Sequence, residues 1–527
     1  MGGGKYETQL CVMILEDLYG KIVAKLGDII LKESCQFGTI LYKLKGVYNP
    51  TQIRKALATL INFGFVKYYL DTNKKALYVA DPEQIIHVIS APRACLIAKT
   101  LYGPFAEAIC EEIFAEGKLT CSNVIRRVQA RDETATLNQL SKSFTDLATA
   151  QFIMKLPPIE GDINGVPQFA TQYDPFEVGQ IMEVSKLSEA NHETGTRKRK
   201  AGDEKGDADE GKYWKINWNR FDAYIRDDMI IEYLIGNAST SSEDRTVFLT
   251  SNVCRFMFKL NEFRASALKP TTNENITATT YDILKLAKES SVDISKADIE
   301  LACQILADES DGIVRKIGDS SGGLYQIDIK RAVQSICRNH CESLIREQFE
   351  GRAIRVMRLL ETRHFLDEEQ VEKLSMLSAK ESREMLYALV EEGYVFTKAV
   401  GRSNDFLPAR TFYLYHVDLT RTVRGLVEYT CKLIRNLILR NQHEKKENKH
   451  LLDKDATVGP IVEGIRSNEE LDEDSKLAQI AEVEEMYLPG NDKAQLNKYR
   501  HSQAVLLAAQ DQSVRVLFAF KLFLSNN

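Results

Sequence analysis

The stretch Pro50–Ala80, PTQIRKALATLINFGFVKYYLDTNKKALYVA, reads as a helix that runs into two β-rich segments separated by polar turn residues. Leu57, Leu60, Ile61 and Phe65 stand at i, i+3, i+4 and i+8, and Val66 follows at once. The first three positions form one apolar stripe on a helix, which other helices must cover. The chain then turns into a strand that closes over the same core. Upstream, KIVAKLGDIILKE from Lys21 and FGTILYKLK from Phe37 supply two more helical segments. Three short helices followed by a β hairpin make the winged form of the helix-turn-helix.

The pattern repeats. The same offsets occur at Phe144, Leu147, Ala148 and Phe152, followed by Ile153, and at Leu386, Leu389, Val390 and Tyr394, followed by Val395. A further copy, LACQILADESDGIVRKIGDSSGGLYQID from Leu301, has a longer turn before Ile313 but keeps the order helix, strand, Gly-rich turn, strand. The fold class expected is mainly α with small β hairpins: four tandem winged-helix domains, then a C-terminal helical coiled-coil hairpin. The units span 1–90, 91–157, 212–335 and 336–416, with a linker at 158–211 and the hairpin at 417–527. The third unit carries a helical extension, WKINWNRFDAYIRDDMIIEYL from Trp214 and RTVFLTSNVCRFMFKLNEF from Arg245.

In the last segment Leu419, Val423, Leu426, Leu433 and Leu437 follow a/d-like spacing, with Thr430 at the remaining seam position. These are candidate partner-interface residues. HEKKENKHLLDKD continues that helix to a break expected at Gly459–Pro460. The apolar run Val514–Leu524 needs burial, on this chain or on a partner. It is interrupted by Lys521 and is too short to span a bilayer, so no membrane partner is expected.

The 527 residues carry a net charge of -6, with 44% hydrophobic and 27% charged residues, which suits several globular cores. A free-standing DNA-binding domain is usually basic, because affinity comes largely from neutralised phosphates, so this balance argues against one. The 10 cysteines include no CxxC pair, which excludes a zinc ribbon or thioredoxin-like motif and fits reduced intracellular thiols. The N-terminus lacks a signal-peptide pattern. Within the linker, Arg197, Lys198, Arg199 and Lys200 form a candidate nuclear-import run; a solvated charge run is the competing reading.

No phosphate-binding glycine loop, HExxH or GxSxG is present, so no catalytic, cofactor-binding or small-molecule site is expected. Cys337, His340 and Cys341 lack a fourth ligand, and no metal is expected there. The pair Asp227 and Asp228 reads as a solvated helix face. Basic residues do gather where a winged helix meets phosphates. The DNA-contact candidates are Lys380 and Arg383 at the start of the fourth unit's third helix, Lys398, Arg402 and Arg410 in its wing, and Arg126 and Arg127 in the second unit.

QLCVMILEDLYGKIVAKLGDIIL from Gln9, KTLYGPFAEAI from Lys99 and RTFYLYHVD from Arg410, followed by the ENKHLLDK helix, resemble the third-largest-subunit family of eukaryotic RNA polymerase III. That resemblance implies a non-catalytic nuclear subunit, similar to the alpha subunit of TFIIE. It further implies a heterotrimer with two smaller polymerase III-specific subunits, docking on the polymerase clamp and core, and opening of promoter DNA for tRNA, 5S rRNA and other small RNAs. The alternative is a winged-helix scaffold or DNA-binding transcription regulator outside the polymerase.

Overall fold

The recurring apolar offsets mark a recurring helix stop. In the computed structural model, Phe65, Phe152 and Tyr394 donate their backbone N–H to the carbonyls of Leu60, Leu147 and Leu389, at 3.0, 3.0 and 2.9 Å. The residue before each donor is left-handed: Gly64 (φ 77°), Gln151 (φ 69°) and Gly393 (φ 77°). This bond, with its left-handed residue, is a Schellman turn, which satisfies carbonyls that a helix end otherwise leaves open. It aims the i+8 and i+9 side chains back under the helix, and Phe65, Val66, Phe152, Ile153, Tyr394 and Val395 are all buried. The i+4 position is less constrained: Ala148 is buried, whereas Ile61 and Val390 are half-buried. The divergent copy turns through two left-handed residues, Asp311 (φ 52°) and Gly312 (φ 75°), which accounts for its longer spacing.

Residues 4–70, 75–132, 135–163, 166–170, 172–178, 209, 211–238, 244–261, 276–290, 292, 294–319, 322–401, 411–467 and 473–526 are described by the structure. Each unit builds a small antiparallel sheet with the second wing strand in the middle. In the first, Ala76–Ala80 lies between Cys35–Gln36 and Val66–Leu70. In the third, Leu324–Ile327 lies between Ile276–Thr279 and Val314–Gly318. In the fourth, Thr411–His416 pairs with Phe396–Gly401 and bridges to Leu366 through Tyr415.

The second unit obeys the same rule with a strand from far along the chain. Tyr213–Ile216 sits between Leu119–Thr120 and Ile153–Lys155, in the register Leu119↔Trp214 and Ile153↔Ile216. Asn217 N–H then donates to Phe152 O at 2.9 Å, as Asp81 does to Phe65 O at 2.8 Å and Asp328 to Ile313 O at 2.9 Å. The expected boundaries at 157 and 212 are therefore displaced. The intervening residues are inserted within the wing of the second unit, and do not join two finished units. A separate hairpin, Ile159–Ile163 with Val166–Phe169, belongs to this insertion.

Helices Trp218–Ala238 and Asp244–Asn261 pack on helix Lys296–Glu309 of the third unit, whereas Trp214, the expected start of the extension, lies in the middle strand of the second. Asp227 departs from the solvated reading: it accepts from Arg226 Nε at 2.8 Å, and burial raises its pKa. The helix Ile329–Arg363 kinks at Glu350 (φ 64°) and passes from the third unit into the fourth.

Helix Leu419–Glu447 runs between the N-terminal helix Lys5–Tyr19 and the C-terminal helix Gly490–Asn526. Its buried residues, Thr422, Val423, Leu426, Val427, Thr430, Cys431 and Ile434, follow a 3.6-residue stripe. The partner-interface reading needs correction here. Val423 and Leu426 are used inside this chain, Leu419 and Leu437 are half-buried, and Leu433 is exposed. Two helices flank this one, so its covered stripe is wider than a heptad seam. The helix break falls at Asn448, and the next helix, Lys449–Arg466, continues through Gly459–Pro460. Val514, Leu517, Ala519, Phe520 and Phe523 are buried within the chain, which answers the need of the apolar C-terminus.

Candidate nucleic-acid interface

In the fourth unit the third helix is Ala379–Glu391 and the wing strands are Phe396–Gly401 and Thr411–His416. Ser378 caps helix Ala379–Glu391 through a capping box with Glu381, so its first turn, with Lys380 and Arg383, is held at the surface. Leu386 and Leu389 face the core, which leaves Lys380, Arg383 and Tyr387 outward. Arg383 Nε donates to Glu368 Oε1 at 2.6 Å, and Lys380 Nζ lies 3.9 Å from Glu384. Glu368 raises the Arg383 pKa by hydrogen bond and charge.

The wing carries aromatic residues and cations together. In the pairing register, Phe396, Lys398 and Val400 lie opposite His416, Leu414 and Phe412. Lys398 Nζ stands 5.2 Å from the Phe365 ring centre, and Arg421 stacks over Phe396 at 4.2 Å. Phe365 is exposed, as are Val400 and Phe412 on the same wing face as Lys398, whereas the exposed Tyr413, opposite Ala399, lies on the other face. Such contacts hold a cation beside a ring face while leaving it open to solvent.

Three other arginines of this unit are engaged. Arg352 binds Glu381 at 2.9 Å, Arg355 donates to Ser375 O at 3.1 Å, and Arg358 donates to Glu342 at 2.9 Å. In the second unit, Arg127 pairs with Glu116 and Glu112, and Arg131 pairs with Glu111 and Glu112. These arginines tie helix Cys121–Arg131 to helix Pro104–Glu116, so Arg127 is not a free phosphate ligand; Arg126 is exposed beside it. Of the remaining candidates, Arg402 and Arg410, and the import run Arg197, Lys198, Arg199 and Lys200, lie outside the described residues. The structure thus brings Lys380, Arg383 and Lys398 into one unit and separates Arg126 and Arg127 from them.

Cys337 and Cys341 are buried one helical turn apart, and His340 meets the edge of Phe520 with ring centres 6.3 Å apart. Among the described residues no group of three or more His, Cys, Asp or Glu side chains is placed to hold a metal ion.

Comparison with known proteins bears on each part of the chain. Residues 9–71 match the helix-turn-helix domain of RNA polymerase III subunit RPC82. Residues 167–336 match RNA polymerase III subunit RPC82, and residues 341–417 match the POLR3C C-terminal winged-helix domain. DNA-directed RNA polymerase III subunit RPC3 of Mus musculus is 28% identical, over 99% of this chain and 98% of the mouse protein. The Homo sapiens protein of that name is 27% identical over 98% of each chain. The Dictyostelium discoideum protein is 27% identical over 32% of this chain and 26% of its own length.

Proposed function

The chain belongs to the family of RNA polymerase III subunit RPC82, also named RPC3, and from that premise we propose that this non-catalytic polymerase III subunit acts in promoter opening and initiation. The observation that carries the reading is the match with polymerase III subunits from end to end, 99% of this chain against 98% of the mouse protein.

In this reading four winged helices stand in tandem before a C-terminal helical coiled-coil hairpin. The common strand order and the repeated helix stop support that count. The chain joins two smaller polymerase III-specific subunits as a heterotrimer in the nucleus, docks on the clamp and core, and helps hold promoter DNA. The exposed wing of the fourth unit, with Lys398 among aromatic side chains, is the surface offered to DNA there. Contacts of this kind position a backbone without reading its sequence, which suits a subunit that serves many promoters.

Purification of the tagged full chain from nuclear extract tests the assembly: both large polymerase subunits and the two smaller ones should copurify, and their absence would overturn it. Replacing Lys398, Arg402 and Arg410 with alanine tests the wing. Open-complex formation should fall while assembly persists, and normal opening would eliminate the wing contact. The carboxylates bound by Arg127 and Arg383 favour a second reading, in which these two units are protein-docking blocks.

A further inference from the structure

We propose that the first unit carries a second nucleic-acid site, in which its helix-turn-helix face contacts the backbone of duplex DNA. Residues 34–70 contain Lys43, Lys45, Arg54, Lys55 and Lys67 and not one Asp or Glu, in a chain whose net charge is -6. This stretch covers the second helix, the turn, the third helix and the first wing strand.

Its folding puts the charge outside. Helix Pro50–Asn62 buries Ile53, Ala56, Leu57 and Leu60, which turns Thr51, Arg54, Lys55 and Ala58 to solvent. Asn49 and Gln52 form a capping box, and Pro50 opens the helix, so its N-terminal half is fixed at the surface. That half of the third helix is what a helix-turn-helix lays into the major groove. Lys43 is paired with Glu33 at 2.7 Å, and Lys67 with Asp81 at 2.6 Å. Lys45, Arg54 and Lys55 have no carboxylate partner among the described residues. Arg54 lies 5.8 Å from the Phe37 ring centre, and Lys25 5.4 Å from that of Tyr48, beside the exposed Tyr42 and Val47.

The third helices of the third and fourth units differ. Arg383 is bound to Glu368, and helix Lys296–Glu309 sets Asp298, Glu300, Asp308 and Glu309 against Lys296. Small outward residues such as Thr51 and Ala58 let the helix approach a groove about 12 Å wide, whereas the deep, narrow major groove of duplex RNA excludes it. This site needs only the first unit's own face, and stands apart from the fourth-unit wing contact.

The test is binding of the full chain to a labelled mixed-sequence DNA duplex, read by fluorescence anisotropy across a salt series. Two variants are compared, Lys45→Glu/Arg54→Glu/Lys55→Glu and Lys380→Glu/Lys398→Glu. The first should weaken binding by about tenfold or more and flatten the salt slope by about 0.9 for each phosphate that is no longer neutralised. Its thermal midpoint should stay at the wild-type value, because all three side chains are exposed. A glutamine version of the same triple variant should move binding in the same direction. Wild-type affinity in the first variant, or an unmodified chain that does not bind duplex, overturns the proposal and leaves this face to a protein partner. If only the second variant loses binding, the first-unit site falls and the wing contact stands.

Discussion

Lys521 Nζ donates to Glu7 Oε1 at 2.6 Å, joining side chains 514 positions apart in the sequence. Both are largely buried, and the pair fastens the C-terminal helix to the N-terminal one. Burial by itself lowers the lysine pKa, but the charge and hydrogen bond of Glu7 outweigh it and hold the amine above its ordinary 10.5. A raised folded pKa stabilises fully below 10.5 and stops doing so as pH climbs through the folded value.

Glu7→Gln should therefore destabilise the protein by about 3–5 kcal/mol at neutral pH, because it leaves the ammonium buried without its counter-charge. Urea titrations at neutral and strongly alkaline pH would check this. The gap between wild type and variant should narrow as pH rises past 10.5. A constant gap would show that the charge of Lys521 contributes nothing.

Gln151 occupies the left-handed position that glycine fills in two other units, Gly64 and Gly393. A side chain there costs roughly 1 kcal/mol. Its carbonyl, which accepts from Asn217 Nδ2 at 2.8 Å, is kept on substitution. Gln151→Gly should raise stability by about 1 kcal/mol, less the extra chain entropy that glycine loses on folding. Denaturation midpoints decide it, and a lower midpoint contradicts the strain argument.

All ten cysteines are buried. Burial pushes the thiols of Cys95, Cys121, Cys254, Cys303 and Cys431 up to about 12. The thiolate is the reactive form, so native protein near neutral pH should label very slowly with a thiol reagent. Ten equivalents should react once guanidinium is added. Rapid labelling of any thiol in the folded chain would contradict that burial.

Trp214 is 4% exposed and meets Phe144 edge-on with ring centres 5.2 Å apart. Trp214→Ala should cost about 3–5 kcal/mol, the range for large aromatic truncations in a core. The loss should concentrate in the second unit, read as faster amide exchange in helix Leu137–Thr149 than in helix Ala379–Glu391. Uniform acceleration across both would mean that the units unfold together.

Local patterns in the sequence are enough to find the helix stops, because a Schellman turn forces fixed offsets on its apolar neighbours, as at Leu60 and Phe65. The central strand of the second unit is not legible there, since Tyr213–Ile216 pairs with residues far upstream and nothing in its own composition marks the partner. The inward stripe of helix Leu419–Glu447 reads one step off, because Leu433 resembles a seam residue until both flanking helices are in place. Ion pairing is equally hidden: Arg127 and Arg383 look free in one dimension and meet Glu116 and Glu368 only after folding. The signal for the first-unit surface is present in the sequence as a missing residue type, the lack of any acid from 34 to 70.

Because Tyr213–Ile216 supplies the middle strand of the second unit, that unit cannot be completed on the ribosome until residue 216 has emerged from the exit tunnel. The first unit, whose strands all lie before residue 81, can finish long before. A protease that nicks the chain between residues 170 and 211 should yield two fragments that stay clasped, since the upstream piece holds the outer strands and the downstream piece the one between them.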